Sequence, residues 1–117
     1  MVNLKPGRVG GLTPALAIHD ACRQSEVACY VGAMPQSAIG TRIGFALAAK
    51  ENCTYPADYL PADRRLEHDL AEPLLPAGDP SDQVMRIGLW AEPGLGVEPD
   101  LELLEKYSIS KSMKESS

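Results

Sequence analysis

The sequence predicts an α/β fold, because short apolar runs alternate with stretches of helical periodicity. The apolar runs are residues 2–5, 27–31 and 53–55, and a helical pattern separates each run from the next. This order of strand, helix, strand, helix, strand is typical of α/β proteins, in which strands joined by a helix run parallel. At 117 residues, the chain has the length of one ordinary domain.

The composition of the chain argues against several classes of function. The chain is 44% hydrophobic and 23% charged, which fits a globular protein with a core. A net charge of -5 and the lack of a basic cluster argue against a nucleic-acid partner. No apolar stretch is long enough for a membrane span, and the N-terminus lacks the apolar region of a signal peptide. The three cysteines, Cys22, Cys29 and Cys53, form no CxxC pair, so we expect reduced, buried thiols in a cytoplasmic protein and not a metal site.

Thr13 and Pro14 predict the start of the first helix, because threonine can cap a helix and proline suits its first turn. The apolar stripe of this helix comprises Ala15, Leu16, Ile18, Ala21 and Cys22. His19 and Asp20 fall outside the narrow stripe, so we expect both on the surface.

Ser37 is the predicted cap of the second helix. The apolar face of this helix comprises Ile39, Ile43, Ala46 and Leu47. Gly40 and Gly44 lie four residues apart, which indicates close packing of this helix against a neighbour.

Proline and glycine punctuate the second half of the chain. Residues 63–70 could form one or two helical turns, and residues 84–90 could form a strand. A final helix is predicted over residues 99–107, with Asp100 and Glu102 near its positive end. We therefore expect one domain over residues 1–107 and a flexible tail over 108–117.

Three strand ends converge on one rim if the strands are parallel neighbours, because all strand-to-helix turns then lie on the same side. That rim would carry Lys5, the loop from Gly32 to Met34, and Asp58. A lysine near apolar walls can lose its proton near neutral pH and act as an acid or base, although a solvated lysine is the commoner case. One lysine, one thioether and one carboxylate suit the entrance of a binding pocket. They do not form the acidic cluster that Mg²⁺ needs.

Several separated motifs resemble the o-succinylbenzoate synthase and N-acylamino acid racemase family, of the muconate-lactonizing branch of the enolase superfamily. They keep the family's order and spacing over residues 2–104. The motifs are NLKPGRVGGLT at 3–13, IHD at 18–20, GAMPQSAIG at 32–40, YPAD at 55–58, DR at 63–64, Asp69, EP at 72–73 and PGLGV at 93–97.

The resemblance implies the C-terminal portion, about strands six to eight, of an incomplete (β/α)8 TIM-type barrel. In this family two lysines face each other across the barrel, and Mg²⁺ stabilises the enediolate formed when a proton leaves the carbon next to a carboxylate. Lys5 matches the sixth-strand lysine, a catalytic acid or base, and Gly32 and Met34 match the loop lining the substrate pocket. Asp58 matches an aspartate that supports the site without touching the substrate; a turn role for Asp58 and core packing for Met34 remain open.

The chain departs from the family pattern in its second loop and in its extent. Gln36 stands where the family usually has glutamate, Ala33 replaces a glycine, and Pro35 stiffens the loop. A whole barrel needs about 250 residues. The family's lysine pair on strand two, its three metal carboxylates on strands three to five and its N-terminal capping domain have no counterpart here. The resemblance therefore implies Mg²⁺ in the complete enzyme, with no metal bound by residues of this chain.

Two interpretations of function follow. In the first, the chain is part of a Mg²⁺-dependent enzyme that acts on a small carboxylate; it is inactive alone and needs the rest of the barrel or a complementing chain. In the second, it is a non-catalytic half-barrel that binds a partner chain through its open strand edges. A phosphate site at Gly7–Gly11 or Gly94–Gly96 is disfavoured, because neither turn continues as a P-loop.

Overall fold

Two parallel strands form the centre of the computed structural model, which describes residues 1–60, 67–79, 81, 83 and 85–112. Strand β1 is Val2–Leu4 and strand β2 is Cys29–Val31, and they pair in register with Val2 opposite Cys29 and Leu4 opposite Val31. The helix between them makes the crossover that parallel strands require. The predicted α/β class is therefore confirmed.

Helix α1, Pro6–Val9, and helix α2, Leu12–Gln24, follow β1 almost without a break. Gly10 has φ of 95° and Gly11 has φ of 115°, so two glycines make the turn between the helices. Helix α2 thus begins at Leu12 with Gly11 as its cap, and the prediction that Thr13 caps it was wrong. The reason is that Gly11 N–H closes α1 on the Pro6 carbonyl at 2.8 Å, and the chain re-enters a helix at the next residue.

A small hydrophobic core lies between the strands and the two long helices. It comprises Leu4, Ala15, Cys29, Val31 and Leu47. Leu16, Ile18 and Cys22 pack against this core from α2, as the helical stripe predicted, whereas Ala21 is exposed.

His19 is fully buried, which corrects the expectation that it lies on the surface. Its Nδ1 donates to the exposed Asp20 carboxylate at 2.9 Å, and its Nε2 accepts the backbone N–H of Asn52 at 3.2 Å. Because a backbone N–H can only donate, Nε2 is the acceptor of this pair and Nδ1 is the donor to Asp20. The hydrogen bond from His19 holds the pKa of the Asp20 carboxyl below its usual value.

Helix α3, Ala38–Ala48, connects the end of β2 to residues 53–55, where a third strand was predicted. Ser37 is its cap residue, but the Ser37 hydroxyl makes no capping bond. Asp69 supplies it instead: its carboxylate accepts the first helical N–H, from Ala38, at 2.8 Å. A cap from 31 residues away is not visible in the local sequence pattern.

The third strand is reduced to one parallel bridge between Cys29 and Cys53. Asn52 fixes this bridge, because its carbonyl accepts the Cys29 N–H at 3.0 Å and its amide donates to the Val27 carbonyl at 2.8 Å. The prediction of a strand extending to Tyr55 was therefore too long.

Arg42 is the residue of α3 that the apolar pattern missed. It is only 6% exposed, and it donates to the carbonyls of Leu95, at 3.1 Å, and Glu72, at 3.4 Å. Its guanidinium also lies 5.0 Å from the centre of the Trp90 ring, a cation–π distance. Arg42 therefore attaches residues 85–98, which we call the strap, to the outer side of α3.

The strap contains no regular strand among its described residues. One antiparallel bridge joins Ala77 to Arg86, so the strand predicted over 84–90 was wrong for residues 85–90, while Val84 lies outside the described residues. Trp90 shapes the strap, since its Nε1 donates to the Gly94 carbonyl at 2.8 Å and its ring occupies the space beside Gly96. Pro93–Val97 is thereby folded as a glycine turn around an indole.

Helix α4, Leu101–Tyr107, confirms the final helix, although it begins two residues later than predicted. Asp100 caps it by accepting the Leu103 N–H at 3.0 Å. Residues 108–112 are exposed, and residues 113–117 lie outside the described part.

One or two helical turns were predicted over residues 63–70. Residues 67–70 are not helical, and residues 63–66 lie outside the described part. In the described part of the chain, no helix is long and apolar enough to cross a membrane.

We predict that Arg42→Met loosens the strap. The substitution keeps much of the side-chain volume but leaves two carbonyls without their donor, so it should lower the free energy of unfolding by about 2 kcal/mol. Trp90, the single tryptophan, reports the transition by fluorescence during urea unfolding. Arg23→Met is the matched control: Arg23 is half-exposed in a surface pair with Glu51, and its loss should cost less than about 1 kcal/mol. Equal losses would show that Arg42 does not hold the strap.

Candidate functional site

The carboxyl ends of β1 and β2 place Lys5 and Gly32 side by side. Gly32 N–H donates to the Leu4 carbonyl at 3.0 Å, which extends the parallel ladder one residue past both strands. In this register Lys5 lies opposite Gly32. The structure therefore brings together two of the predicted site residues from opposite ends of a crossover helix.

The space beside Gly32 is occupied by the ends of two side chains from β1. A Cβ on Gly32 would overlap the Lys5 ammonium and the Asn3 amide oxygen. Asn3 and Lys5 are two residues apart in an extended chain, so their side chains leave the same face of the strand. The absence of a side chain at residue 32 thus makes room for the ammonium of the half-buried Lys5.

Met34 lies in the loop after β2 and turns back towards helix α1. Its sulfur is 3.7 Å from the position that a Cβ on Gly7 would take. Together with Gly32 and Asp58, Met34 lines a partly open hollow of about 20 Å³. That volume suits a single water molecule and not a substrate.

Asp58 lies on the other side of this hollow. Its backbone N–H donates to the Val31 carbonyl at 3.0 Å, which places it beside the end of β2 although the third strand has already ended. Its side chain is exposed, and between Lys5 and Asp58, both described, there is no ion pair. The three predicted strand ends therefore meet at one edge, with Asp58 at its margin.

Gln36 and Gly44 lie near the same edge, in the loop and the helix that follow β2. The Gln36 side chain folds over Gly40, since its Oε1 lies 2.9 Å from the position of a Cβ there. A Cβ on Gly44 would lie 3.6 Å from the Val31 side chain, an ordinary van der Waals distance. Helix α3 therefore packs on β2 at the buried Gly44, but the contact leaves room for a side-chain carbon. Asn3 was missed as a site residue; its only sequence signal is a polar amide two residues before Lys5 in an apolar run.

The thiols and carboxylates of the described residues do not form a metal site. No group of three or more His, Cys, Asp or Glu side chains in that part of the chain could hold a metal ion. The three cysteines are free. Burial and a hydrogen bond with Cys22 raise the pKa of the Cys29 thiol, and burial raises the pKa of the Cys53 thiol. Raised values disfavour the reactive thiolate, so both behave as core residues.

Comparisons with known proteins agree on one family. The model of the enolase C-terminal domain-like family matches residues 1–103. An N-succinylamino acid racemase from Amycolatopsis is 35% identical over 95% of this chain, and an o-succinylbenzoate synthase from Bacillus subtilis is 34% identical over 92%. This chain spans 28% of the length of each of these relatives.

Two solved structures of enolase-superfamily members resemble this chain. A crystal structure of an enolase-superfamily member from Listeria innocua superposes with a TM-score of 0.69 and 29% identity, covering 93% of this chain and 28% of that one. A second member, from Enterococcus faecalis, gives 0.65 and 28% over 90% of this chain and 27% of that one.

Gly32→Ala tests whether the space beside residue 32 fixes Lys5. Because Lys5 and Asn3 can swing away from an added methyl group, we expect a loss of stability of only about 1 kcal/mol, while the ammonium leaves its place. NMR contacts between the Lys5 ε-methylene and Asn3 should disappear. Gly88→Ala is the control, since a Cβ there meets no atom within 4 Å, and it should preserve these contacts. Their persistence in Gly32→Ala would contradict the assigned geometry.

Proposed function

This chain belongs to the enolase C-terminal domain-like family, and we propose that it supplies the last strands of a (β/α)8 barrel enzyme that removes a proton from the carbon next to a carboxylate. The observation that carries the proposal is the Lys5 ammonium at the carboxyl end of β1, in the space that Gly32 leaves open. In barrels of this kind, catalytic groups lie at the carboxyl ends of the strands.

The topology supports the barrel assignment. Strands β1 and β2 are consecutive, parallel and joined by a helix, and the bridge at Cys53 continues the same order. Among described residues β1 pairs only with β2, so its other edge can accept a preceding strand. We propose that this edge is where the remainder of the barrel joins, as part of the same polypeptide or as a complementing chain.

Lys5 would act on the substrate's α-carbon. As an amine it can take the α-proton, and as an ammonium it can return a proton or offset the negative charge that forms beside the carboxylate. The named relatives point to two reactions, racemisation of N-succinylamino acids and synthesis of o-succinylbenzoate. Gln36, Ala33 and Pro35 differ from the family pattern in the loop beside the pocket, so both reactions remain in the proposal.

The described residues do not fit Mg²⁺, because one exposed carboxylate, Asp58, lies at this edge and no acidic cluster accompanies it. We propose that the metal ligands lie on earlier strands outside this chain. The substrate-binding part of this chain is then Gly32 and Met34, with Asp58 in support. The cytoplasm remains the expected compartment, since three free thiols persist in reducing surroundings.

Proton exchange tests the proposal. The protein is recovered from its native source through a C-terminal tag, its intact mass is measured, and α-proton exchange of an N-succinylamino acid is followed in D₂O with Mg²⁺ or with EDTA. We expect a mass well above 12.6 kDa, or a stable second chain, and exchange that EDTA stops. Lys5→Ala should lower the exchange rate by about 10²–10⁴-fold.

Lys50→Ala is the matched control, since Lys50 is an exposed lysine just past the far end of α3 and should not affect exchange. Undiminished exchange in Lys5→Ala would remove Lys5 from the mechanism. A protein of 12.6 kDa that neither exchanges protons nor holds a second barrel chain would contradict the enzyme proposal and leave the non-catalytic partner-binding module.

A further inference from the structure

Asn3 and Lys5 share one small space at the end of the parallel ladder. The amide oxygen of Asn3 and the ammonium of Lys5 both lie where a Cβ on Gly32 would be, so the two polar ends are neighbours. An amide oxygen accepts hydrogen bonds and carries no net charge. Between these two described side chains there is no direct hydrogen bond and no ion pair, so what they share is the space beside Gly32.

The position of Asn3 is not explained by the stability of the fold. Asn3 is exposed, it lies in the middle of β1, and asparagine is depleted in strands. The residues on either side, Val2 and Leu4, carry the packing of this strand against the core. A residue chosen for the strand alone would be β-branched.

We propose that Asn3 is a positioning residue for Lys5: its amide oxygen orients the ammonium in the space beside Gly32, so that the nitrogen points along the rim towards the substrate's α-carbon. This inference rests on the proposed function for its consequence in catalysis, but its geometric part concerns Lys5 alone. A neutral acceptor suits a proton-carrying lysine, because a carboxylate in its place would hold the proton on the nitrogen.

The first test measures Lys5 reactivity and needs no substrate. The chain is acetylated with trace acetic anhydride at constant pH, and mass spectrometry gives the rate at Lys5 relative to Lys50. Asn3→Val removes the amide dipole from the space that it shares with the ammonium, so we expect acetylation of Lys5 to become faster by about threefold or more. Asn3→Asp adds a negative charge at the same place and should make it slower.

Gln24→Glu is the control for added charge, because Gln24 is exposed at the end of α2 and the new carboxylate should leave the ratio unchanged. Asn3→Leu is the second variant, should valine disturb the fold, and it should change the ratio in the same direction as Asn3→Val because leucine has the shape of asparagine and no polar atom. Equal Lys5 rates in the wild type, Asn3→Val and Asn3→Leu would overturn the proposal.

A double-mutant cycle tests the shared space. The methyl group that Gly32→Ala adds would contact both the Asn3 and the Lys5 side chains. In an Asn3→Ala background it would contact Lys5 alone. We expect the effect of Gly32→Ala on the Lys5 acetylation rate to be clearly smaller in that background, whereas independent sites would give additive effects. Additivity would contradict the arrangement of the three residues.

The catalytic consequence is measured on the protein from its native source. Asn3→Val should lower kcat for α-proton exchange by about tenfold with little change in KM, while the stability of the strand is kept or raised. A structural role alone would lower stability and leave kcat per folded molecule unchanged. If the wild type shows no exchange but Asn3→Val still alters Lys5 acetylation, the proposed function fails and the positioning of Lys5 stands.

Discussion

The parallel pairing of β1 with β2 is the constraint on which the rest of the structure depends. Three register pairs, extended by the bond from Gly32 N–H to the Leu4 carbonyl, bring Leu4 and Val31 into one core and Lys5 beside Gly32. A slip of one residue would reverse the faces of the strand and move Lys5 away from the glycine. The same short ladder therefore fixes both the core and the candidate site.

Helix α3 connects this ladder to the C-terminal half of the chain. Its first N–H is capped by Asp69, and its buried Arg42 holds the strap through the Leu95 carbonyl and the Trp90 ring. The same guanidinium also donates to the Glu72 carbonyl, outside the strap. Through these contacts, polar side chains attach segments of irregular backbone to α3. The segments have no strand pairing or apolar stripe by which to pack. The strap is thus positioned by a few directional bonds, which explains why one arginine is expected to control it.

Among the described residues, the core has five buried side chains and β1 is paired along one edge, which supports the proposal that the chain is a piece of a larger barrel. The chain matches its family over nearly its whole length yet spans 28% of the curated relatives. Under the proposed function it would contribute a lysine, a loop and a strand edge, whereas the reaction also needs acidic metal ligands that the described residues do not provide. Activity would then belong to the assembled barrel, with this chain as one wall of the site.

The sequence by itself determined the α/β class, the two parallel strands, the final helix and the meeting of Lys5 with Gly32, because apolar periodicity and strand order depend on neighbours in the chain. The tertiary structure alone decided that His19 is buried against Asn52, that Asp69 caps α3, that Arg42 holds the strap and that Asn3 shares a space with Lys5. Each of these contacts, except that between Asn3 and Lys5, joins residues about 30 or more positions apart. The exception depends on Gly32, whose missing side chain matters only once β2 lies beside β1. Polar partners separated in this way leave no periodic signal, since their pairing is set by where the packed elements bring them.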